Sequence, residues 1–239
     1  MDTNNLDGKN AFISGATGAI GKSIALALAE RGCNLFLTGS NDERLKNVVS
    51  LLVNYNIKVF SCLGDLSSKA EVYKIIASAN QHFGNIDVVI NSAGIFPNAG
   101  LFESTDDMLE ETFNINYRSA FIFSREFSKE MVSNEWGRIV NIGSSSSYVG
   151  FKETTVYCST KHALLGMSKA IHDELKQFNV RTLCISPSST QSQMGLATKG
   201  QDYSTFLDPD DVAKYVVFAI SFDSNIVSEE IFLKRMIIR

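Results

Sequence analysis

The sequence predicts a three-layer α/β fold, doubly wound around a mostly parallel seven-stranded sheet, in a single domain of 239 residues. Apolar β-type runs alternate with amphipathic segments along the whole chain, which is the pattern of repeated strand–helix–strand units. Several runs, such as residues 88–90 and 139–140, are continuously apolar, as strands become when helices cover both faces of a sheet. No proline-, serine- or glycine-rich linker divides the chain, so we expect one domain over residues 1–239.

The predicted elements follow one another in strict alternation. Strands are predicted at residues 10–14, 34–38, 57–63, 86–91, 138–142, 180–185 and 230–233. Main helices are predicted at residues 20–31, 44–53, 70–83, 108–132, 156–177 and 209–220. The segment 188–208 is polar and weakly patterned, and it follows a strand end, where ligands of open α/β sheets bind. We therefore expect residues 188–208 to form a substrate lid.

Composition and charge favour a small-molecule partner. The chain is 44% hydrophobic and 20% charged, as is ordinary for a soluble globular protein. Its net charge is −4 and no long basic run occurs, so nothing points to nucleic acid or an anionic membrane. The amino terminus is polar and acidic, without the segments of a signal peptide, and no apolar run reaches membrane-spanning length. We expect a cytoplasmic location.

Cysteines and histidines give no sign of a disulfide framework or a metal site. The four cysteines lie far apart without Cys-x-x-Cys spacing, and the three histidines have no carboxylate or cysteine at ligand spacing. We expect reduced thiols and no bound metal.

A glycine-rich turn lies between the first predicted strand and the first predicted helix, at Gly15-Ala16-Thr17-Gly18-Ala19-Ile20-Gly21. Glycines there allow the backbone to approach a pyrophosphate and aim amide N–H groups and the positive end of a helix at its charge. Glycine clusters also occur in simple tight turns, but the strand–helix context favours a dinucleotide site. Its predicted contacts are Gly15, Thr17, Gly18, Ala19, Ile20 and Gly21.

Tyr157 and Lys161 lie four residues apart in a predicted helix, so both side chains project from one face. The ammonium can stabilise the phenolate and lower the tyrosine pKa from its reference value of about 10. Ser144, thirteen residues upstream, can join the phenol in donating hydrogen bonds to a carbonyl oxygen on which charge develops. In isolation such a pair is usually a core aromatic and a solvated lysine. Within the run of four serines, Ser145 is the alternative to Ser144.

These features, together with Asp65, Asn91-Ser92-Ala93-Gly94 and Asn116 in the expected order, resemble the short-chain dehydrogenase/reductase family, in its compact single-domain branch. The resemblance covers nearly the whole chain and implies an NAD(P)-binding Rossmann-type domain. It also implies that Ser144 orients the substrate oxygen, Tyr157 exchanges its proton, Lys161 holds the nicotinamide ribose, and Asn116 supports a proton relay. Asn114, two residues earlier, is a possible alternative to Asn116, because asparagine in a helix can be structural.

The resemblance implies further cofactor residues. Asp65 and Leu66 correspond to the neighbourhood of the adenine, although Asp65 could equally be an ordinary loop or helix-start residue. On the cofactor side of the sheet and near the nicotinamide, the implied residues are Asn91, Ala93, Gly94, Pro187 and Ser192.

The sequence departs from the family pattern at several positions. Ala19 replaces the central glycine of the turn, so the backbone must tolerate a Cβ there. Ser188 stands where glycine is usual, and Ser192 replaces a threonine but keeps the hydroxyl. Residues 234–236, Lys-Arg-Met, replace the usual carboxyl-terminal glycine pair, which puts the family's subunit contacts there in doubt.

The end of the second strand bears on the choice of cofactor. An acid there would accept from the ribose 2′-hydroxyl of NAD and repel a 2′-phosphate, and Gly39 is not an acid. Ser40, with Asn41 and Arg44 beyond it, is then available to bind the 2′-phosphate of NADP. The sequence therefore favours NADP(H) over NAD(H).

The predicted function is an oxidoreductase that interconverts a carbonyl and an alcohol by hydride transfer. Its substrate is expected to be a small polar carbonyl, a sugar derivative or a 3-oxoacyl compound, in a pocket lined by the lid and by Ile95, Phe96, Ser146, Tyr148, Val149 and Phe151. Two alternatives use the same fold, a nucleotide-sugar epimerase or dehydratase and a non-catalytic dinucleotide sensor or scaffold. The resemblance also implies a homodimer or homotetramer through the two long helices.

Overall fold

Seven parallel strands form one sheet in the computed structural model, which describes residues 5–196 and 200–236. The strands are β1 (Asn10–Ser14), β2 (Asn34–Gly39), β3 (Val59–Leu63), β4 (Val88–Asn91), β5 (Gly137–Ile142), β6 (Val180–Pro187) and β7 (Glu230–Leu233). Their spatial order is β3-β2-β1-β4-β5-β6-β7, so the winding reverses between β1 and β4. Ligands of such sheets bind at this reversal, beyond the carboxyl ends of the strands.

Helices connect successive strands. They are α1 (Ala19–Ala29), α2 (Asp42–Leu51), α3 (Lys69–Phe83), α4 (Asp106–Phe113), α5 (Ser119–Ser133), α6 (Thr155–Leu175), α7 (Gln193–Leu196) and α8 (Pro209–Ile220). Asn41, Ser68, Thr105 and Asp208 cap α2, α3, α4 and α8, each accepting a hydrogen bond from a backbone N–H of the first turn. Within the described ranges, no helix combines the length and apolarity needed to span a bilayer.

The two-residue period of the strands divides the core into two layers. On β1, Ala11 and Ile13 face the layer that contains α1, α2 and α8, whereas Phe12 faces the layer of α3 and α5. Phe36 of β2 joins Phe12, and the ring of Phe12 also packs against Phe123 of α5, with 4.6 Å between ring centres. The three-layer arrangement predicted from the continuously apolar strands is confirmed.

The prediction of one regular helix over residues 108–132 is wrong. The helical run extends from Asp106 to Ser133, but a π-helical turn at Asn114–Arg118 separates α4 from α5. A π turn inserts one extra residue into a helix. A search for apolar residues at a 3.6-residue period does not reveal such an insertion. The consequence is functional, because Asn116 lies inside this turn.

The apolar residues of the two long helices permit association between subunits, but most of them pack within the chain. Ile122, Leu164, Leu165 and Met167 are buried, and Leu164 and Met167 join Ala120 in a small cluster between α5 and α6. Phe121 is 39% exposed. Association through these helices stays a prediction.

The amino-terminal edge of the sheet is organised around Arg138, a wholly buried cation on β5. Its guanidinium pairs with Asp223 and donates to the backbone carbonyls of Asn179, Ile220 and Phe222 at 3.0–3.3 Å. Burial lowers the pKa of Arg138 to about 10. Arg138 thereby fastens the segment after α8 to the start of β5.

Arg138→Met should be strongly destabilising, because it removes the buried side-chain donor to the Asn179 and Ile220 carbonyls and the cation that pairs with Asp223. We expect the free energy of unfolding to fall by about 3–5 kcal/mol. Urea denaturation measures this loss. Arg181→Met is the matched control, since Arg181 donates to the same segment from a more exposed position. Equal losses in both variants would contradict the role given to Arg138.

Candidate active site

The glycine turn after β1 is as tight as its sequence predicts. Gly15 has φ +67°, and a Cβ built there would lie 2.6 Å from the backbone of Ala93 at the end of β4. A Cβ at Gly21 would lie 2.3 Å from the carbonyl oxygen of Gly15. Both positions therefore require glycine, one because of its left-handed backbone and both because of close approach.

Ala19 is accommodated without strain because it is the first residue of α1. Gly18 is the N-cap, with φ −76° and no side chain to cap the helix. The first N–H groups of α1 consequently face the turn without side-chain partners. Ile20 lines the cavity described below.

The carboxyl end of β2 lies beside the glycine turn. Gly39 is buried under Thr17, and a Cβ there would lie 2.7 Å from the Thr17 methyl carbon. Ser40 is exposed, and Asn41 accepts a hydrogen bond of 2.9 Å from the backbone N–H of Arg44. This edge carries the Ser40 hydroxyl and the Asn41 amide, followed in the first turn of α2 by the acids Asp42 and Glu43 and then by Arg44.

Asp65 is exposed, and its carboxylate binds its own loop. It accepts from the backbone N–H of Ser67 at 2.8 Å and from the Ser67 hydroxyl at 2.7 Å, while Leu66 is buried. Arg118 donates to the Ser67 carbonyl oxygen at 2.5 Å. The loop between β3 and α3 is thus tied to the π-helical turn.

Asn116 holds the segment after β4 in place. Its side chain accepts from the N–H of Ile95 at 2.8 Å and donates to the Ile95 carbonyl at 3.0 Å, which satisfies both backbone groups of one residue. Its amide also donates to the Thr160 hydroxyl on α6 at 3.2 Å. Asn114 is only half-buried and makes no such bridge among the described side-chain bonds. The geometry favours Asn116, as the family spacing does.

The end of β4 contributes a second polar bridge. Asn91 donates to Ser124 at 3.1 Å and to Asn141 at 2.8 Å, and its own oxygen is buried with no partner among the described residues. Three residues further on, Gly94 passes close to Lys161, since a Cβ there would lie 3.8 Å from Nζ. The N–H of Ala93 points at the Ser14 hydroxyl, 3.5 Å away.

Ser144 lies two residues after β5 and is the N-cap of a short 3₁₀ turn, Ser145–Ser147. Its hydroxyl accepts from the N–H of Ser146 at 3.1 Å, and its own N–H donates to the Ser147 hydroxyl at 3.2 Å. Ser146 and Ser147 are buried. Ser144 and Ser145 both line the cavity. The Ser144 hydroxyl lowers the pKa of the Tyr157 phenol, against the larger effect of burial.

Tyr157 and Lys161 lie on the buried face of α6, with 7% and 4% of their surfaces exposed. Lys161 Nζ is 5.6 Å from the centre of the Tyr157 ring and donates to the carbonyl oxygen of Ile142 at 2.7 Å. The edge of Phe96 packs against the Tyr157 ring, with 4.7 Å between centres. The helical spacing does place both groups on one face.

The expected lowering of the tyrosine pKa is not what the structure gives. Burial raises the pKa of Tyr157 to about 12, although the Ser144 hydroxyl opposes this shift. Burial also lowers the pKa of Lys161 to about 8, because the desolvated ammonium has no carboxylate within ion-pairing distance among the described residues. Desolvation outweighs the attraction between the two groups here.

The chain after β6 turns back over the sheet edge. Pro187 is the last residue of β6, and Ser188 donates its N–H to the Leu233 carbonyl at 2.8 Å. Ser192 donates to the Thr190 carbonyl at 3.1 Å and accepts from the N–H of Gly195 at 2.9 Å, so its hydroxyl stabilises α7. Of the predicted lid, residues 197–199 lie outside the described residues.

A cavity of about 390 Å³ joins these elements. Among the predicted site residues, those that line it are Ile20, Gly94, Ser144, Tyr157, Lys161, Pro187 and Ser192. Asn116 lies behind the wall, under Ile95. The predicted residues at the ends of β1, β2 and β3, including Ser40 and Asp65, do not line the cavity. No group of three or more potential metal ligands occurs in the described part of the chain.

The predicted pocket lining is partly wrong. Phe96, Ser146 and Phe151 line the cavity, but Ile95, Tyr148 and Val149 do not. Ile95 is held by Asn116, the Tyr148 ring stacks on Phe232 with 5.0 Å between centres, and Val149 is exposed.

Sequence reasoning also missed lining residues outside the motifs, namely Asn98, Lys152 and Glu153. Glu153 has a left-handed backbone, with φ 62°, and its carbonyl accepts from the N–H of Ala99 at 3.1 Å. No local sequence signal marks this contact, because it depends on two loops meeting.

A family profile described as short chain dehydrogenase matches residues 9–202, and the protein belongs to this family of oxidoreductases. An uncharacterized oxidoreductase of Staphylococcus aureus (strain MW2) is 31% identical over 226 residues, which are 95% of this chain and 96% of the relative. A 2,3-dihydro-2,3-dihydroxybenzoate dehydrogenase of Bacillus subtilis (strain 168) is 32% identical over 81% of this chain and 74% of its own.

Solved structures share the fold. An alcohol dehydrogenase from the archaeon Thermococcus sibiricus, complexed with 5-hydroxy-NADP, has a TM-score of 0.88 at 24% identity, covering 96% of this chain and 97% of its own. A metagenomic short-chain oxidoreductase in complex with NADP has a TM-score of 0.84 at 23% identity, covering 97% and 99% of the two chains. These comparisons confirm the predicted Rossmann-type fold.

Lys161→Met should alter the pH dependence of stability. Between pH 8 and 10.5 the unfolded chain keeps this lysine protonated while the folded chain holds it neutral, so unfolding takes up a proton. The free energy of unfolding of the unsubstituted protein should therefore rise with pH relative to the variant, at up to about 1.4 kcal/mol per pH unit. Urea denaturation of both proteins across this window measures the difference. Parallel curves would show that burial does not depress the Lys161 pKa.

Proposed function

We propose that the protein is an NAD(P)-dependent oxidoreductase that interconverts a carbonyl and an alcohol at this cavity. The observation that carries the proposal is the meeting of Ser144, Tyr157 and Lys161 in one concave site at the carboxyl edge of the sheet. All three are held by backbone or side-chain contacts from different elements. Preorganised donors of this kind stabilise charge that develops on a substrate oxygen.

The residues present fit a dinucleotide. The backbone at Gly15 and Gly21 leaves a turn that a Cβ would fill, and the uncapped start of α1 offers N–H groups to a pyrophosphate. Lys161 is a buried cation without a carboxylate partner among the described residues, so ribose hydroxyl groups are suitable acceptors for its remaining donors. In this proposal Asp65 and Leu66 lie at the adenine end, Asn91, Ala93 and Gly94 lie on the cofactor side of the sheet, and Pro187 and Ser192 lie near the nicotinamide. A bound nicotinamide would exchange hydride with the substrate carbon.

Tyr157 is the proposed general acid in the reduction. As the carbonyl carbon gains hydride, its oxygen becomes negative, and the phenol transfers a proton to that oxygen while Ser144 donates a hydrogen bond. With a pKa of about 12, Tyr157 holds its proton at neutral pH. The phenolate left after transfer gains from the nearby Lys161 ammonium, and Asn116 fixes the adjacent loop through which the proton can be replaced. In this protonated form Tyr157 is the proton donor that the reduction requires.

The substrate we propose is a small polar carbonyl, a sugar derivative or a 3-oxoacyl compound. Hydroxyl and amide groups of Ser145, Asn98 and Gln201 line the cavity, and Phe96 and Phe151 provide apolar surface beside them. The alcohol dehydrogenase and the dihydroxybenzoate dehydrogenase named among the similar proteins support a substrate with a carbonyl or hydroxyl group. The dinucleotide sensor is less favoured, because a sensor has no need of the Ser144 hydroxyl beside a buried phenol.

Tyr157→Phe should reduce turnover by roughly 10²- to 10⁴-fold, since it removes the proton donor and leaves the ring in place. Ser144→Ala should also lower kcat, whereas Ser159→Ala, which removes an exposed hydroxyl from α6 outside the cavity lining, is the control and should keep its activity. NADPH oxidation with a panel of small ketones, aldoses and 3-oxoacyl thioesters measures turnover, and fluorescence titration checks that NADPH still binds. Unchanged turnover in Tyr157→Phe would refute the mechanism.

NADPH should bind more tightly than NADH, because Ser40 and Asn41, not an acid, directly follow β2, and Arg44 lies in the first turn of α2 after Asp42 and Glu43. Ser40→Asp should weaken NADPH binding by about tenfold through repulsion of the 2′-phosphate and should favour NADH. Ser50→Asp, which adds the same charge at an exposed position of α2, is the control. Fluorescence titration with each dinucleotide decides the preference. Tighter binding of NADH by the unsubstituted protein would reverse the assignment.

A further inference from the structure

The carboxyl-terminal segment after β7 contacts the chain that follows β6. Arg235, which stands where the family pattern has glycine, is the centre of this contact. Its backbone N–H donates to the Ser188 hydroxyl at 3.1 Å, and its guanidinium donates to the Thr205 hydroxyl at 3.2 Å and to the Gln201 side-chain oxygen at 2.6 Å. One residue therefore binds both ends of the segment 188–207.

The guanidinium also covers an apolar side chain. Its central carbon lies 4.9 Å from the centre of the Phe206 ring, and Phe206 is only 5% exposed. The Nε atom of Arg235 is buried with no hydrogen-bond partner among the described residues. The planar group is thus held by stacking and by two donors, a geometry that a lysine cannot reproduce.

Phe206 connects this contact to the wall of the cavity. A Cβ built at Gly195 would lie 3.3 Å from Phe206 and 2.3 Å from the carbonyl oxygen of Thr190, so α7 packs tightly between them. Thr190 and Gly195 line the cavity, as do Ser192, Met194 and Gln201. A displacement of Phe206 or Gln201 would therefore move the wall that faces Tyr157.

We propose that Arg235 is a positioning residue, which holds residues 188–196 and 200–207 against the carboxyl-terminal segment and so fixes the wall of the substrate cavity. Among the described residues, the other links on this side include the pairing of Thr190 with Leu207, the backbone bonds of Leu207 with Ser189 and Gln191, and the bond from Ser188 to Leu233. The effect on catalysis rests on the proposed function, but the mechanical role does not. Loss of Arg235 weakens substrate binding without removing any group that acts on the reacting atoms.

Limited proteolysis with chymotrypsin tests the mechanical role without cofactor or substrate. Arg235→Met keeps much of the side-chain stem but removes the charge and donors, and cleavage after Phe206 should become about tenfold faster. Lys234→Met makes the same charge change at the neighbouring exposed residue and should leave this rate unchanged. Cleavage after Phe102, which is 95% exposed, calibrates the protease in each sample. Equal cleavage after Phe206 in both variants would overturn the proposal.

Two further variants separate the contact from general destabilisation. Arg235→Lys should restore little of the protection, because an ammonium cannot bridge Gln201 and Thr205 while stacking on Phe206. Thr205→Val should speed cleavage in the unsubstituted protein but add nothing in the Arg235→Met background, as expected for two members of one interaction. If Arg235→Met fails to fold, Arg235→Lys and the single variant Thr205→Val still test the contact, because both should speed cleavage after Phe206. Additive effects would refute the interaction.

Steady-state kinetics test the consequence for the site. Arg235→Met should raise KM for the carbonyl substrate by about tenfold and change kcat by less than about twofold, whereas a loss of folded enzyme would lower kcat at constant KM. A fall in kcat alone would exclude a positioning role. Failure of the proposed function appears differently, as no turnover by the unsubstituted protein together with the protease protection by Arg235.

Discussion

The burial of the Lys161 charge is the constraint on which the candidate site depends. A desolvated ammonium needs an acceptor, and Lys161 finds it in the carbonyl oxygen of Ile142, at the carboxyl end of β5. That bond ties α6 to the end of β5 close to Ser144, which follows Ile142 by two residues. The same burial lowers the pKa of Lys161 and raises that of Tyr157. Geometry and protonation at the site therefore have one physical origin, which is the exclusion of water from this face of α6.

Buried amides extend this constraint to the neighbouring elements. Asn116 links the loop after β4 to α6, and Asn141 continues the bridge from Asn91 by donating to Ser168 of α6 at 2.8 Å. Each amide connects two or three elements, so a shift of α6 would leave several buried polar groups unpaired at once. The π-helical turn directs the Asn116 side chain toward Ile95. The two hydrogen bonds that this side chain makes to the Ile95 backbone offset the less regular helical geometry. Rigidity at the site thus comes from hydrogen bonds between elements more than from any one helix.

Much of this arrangement could be predicted from the sequence, and the part that could not has a physical reason. Strand β1 and helix α8 occur at the predicted residues, because apolar runs and capping residues are local signals. The proximity of Tyr157 to Lys161 also follows from local helical spacing, whereas the choice of Ser144 rests on the resemblance to the family. By contrast, the π-helical turn, the pKa of Tyr157 and the pocket lining by Glu153 depend on how distant segments pack. Spacing places the ammonium near the phenol, but only the packed structure shows that desolvation outweighs their attraction.

A buried cation lies at each end of β5, Arg138 of β5 itself and Lys161 of α6, and the two differ in how many hydrogen-bond partners the chain gives them. At the amino end, Arg138 has the Asp223 carboxylate and several carbonyls as partners, so the edge is complete within the chain. At the carboxyl end, Lys161 has one carbonyl, the start of α1 lacks a side-chain cap, and the Asn91 oxygen is unpaired among the described residues. Unmet hydrogen-bonding capacity costs stability, and at this edge a ligand can meet it. Stability and binding are thus assigned to opposite ends of the same strand, and Arg235 adds its contacts to the side of the cavity where the sheet itself provides few.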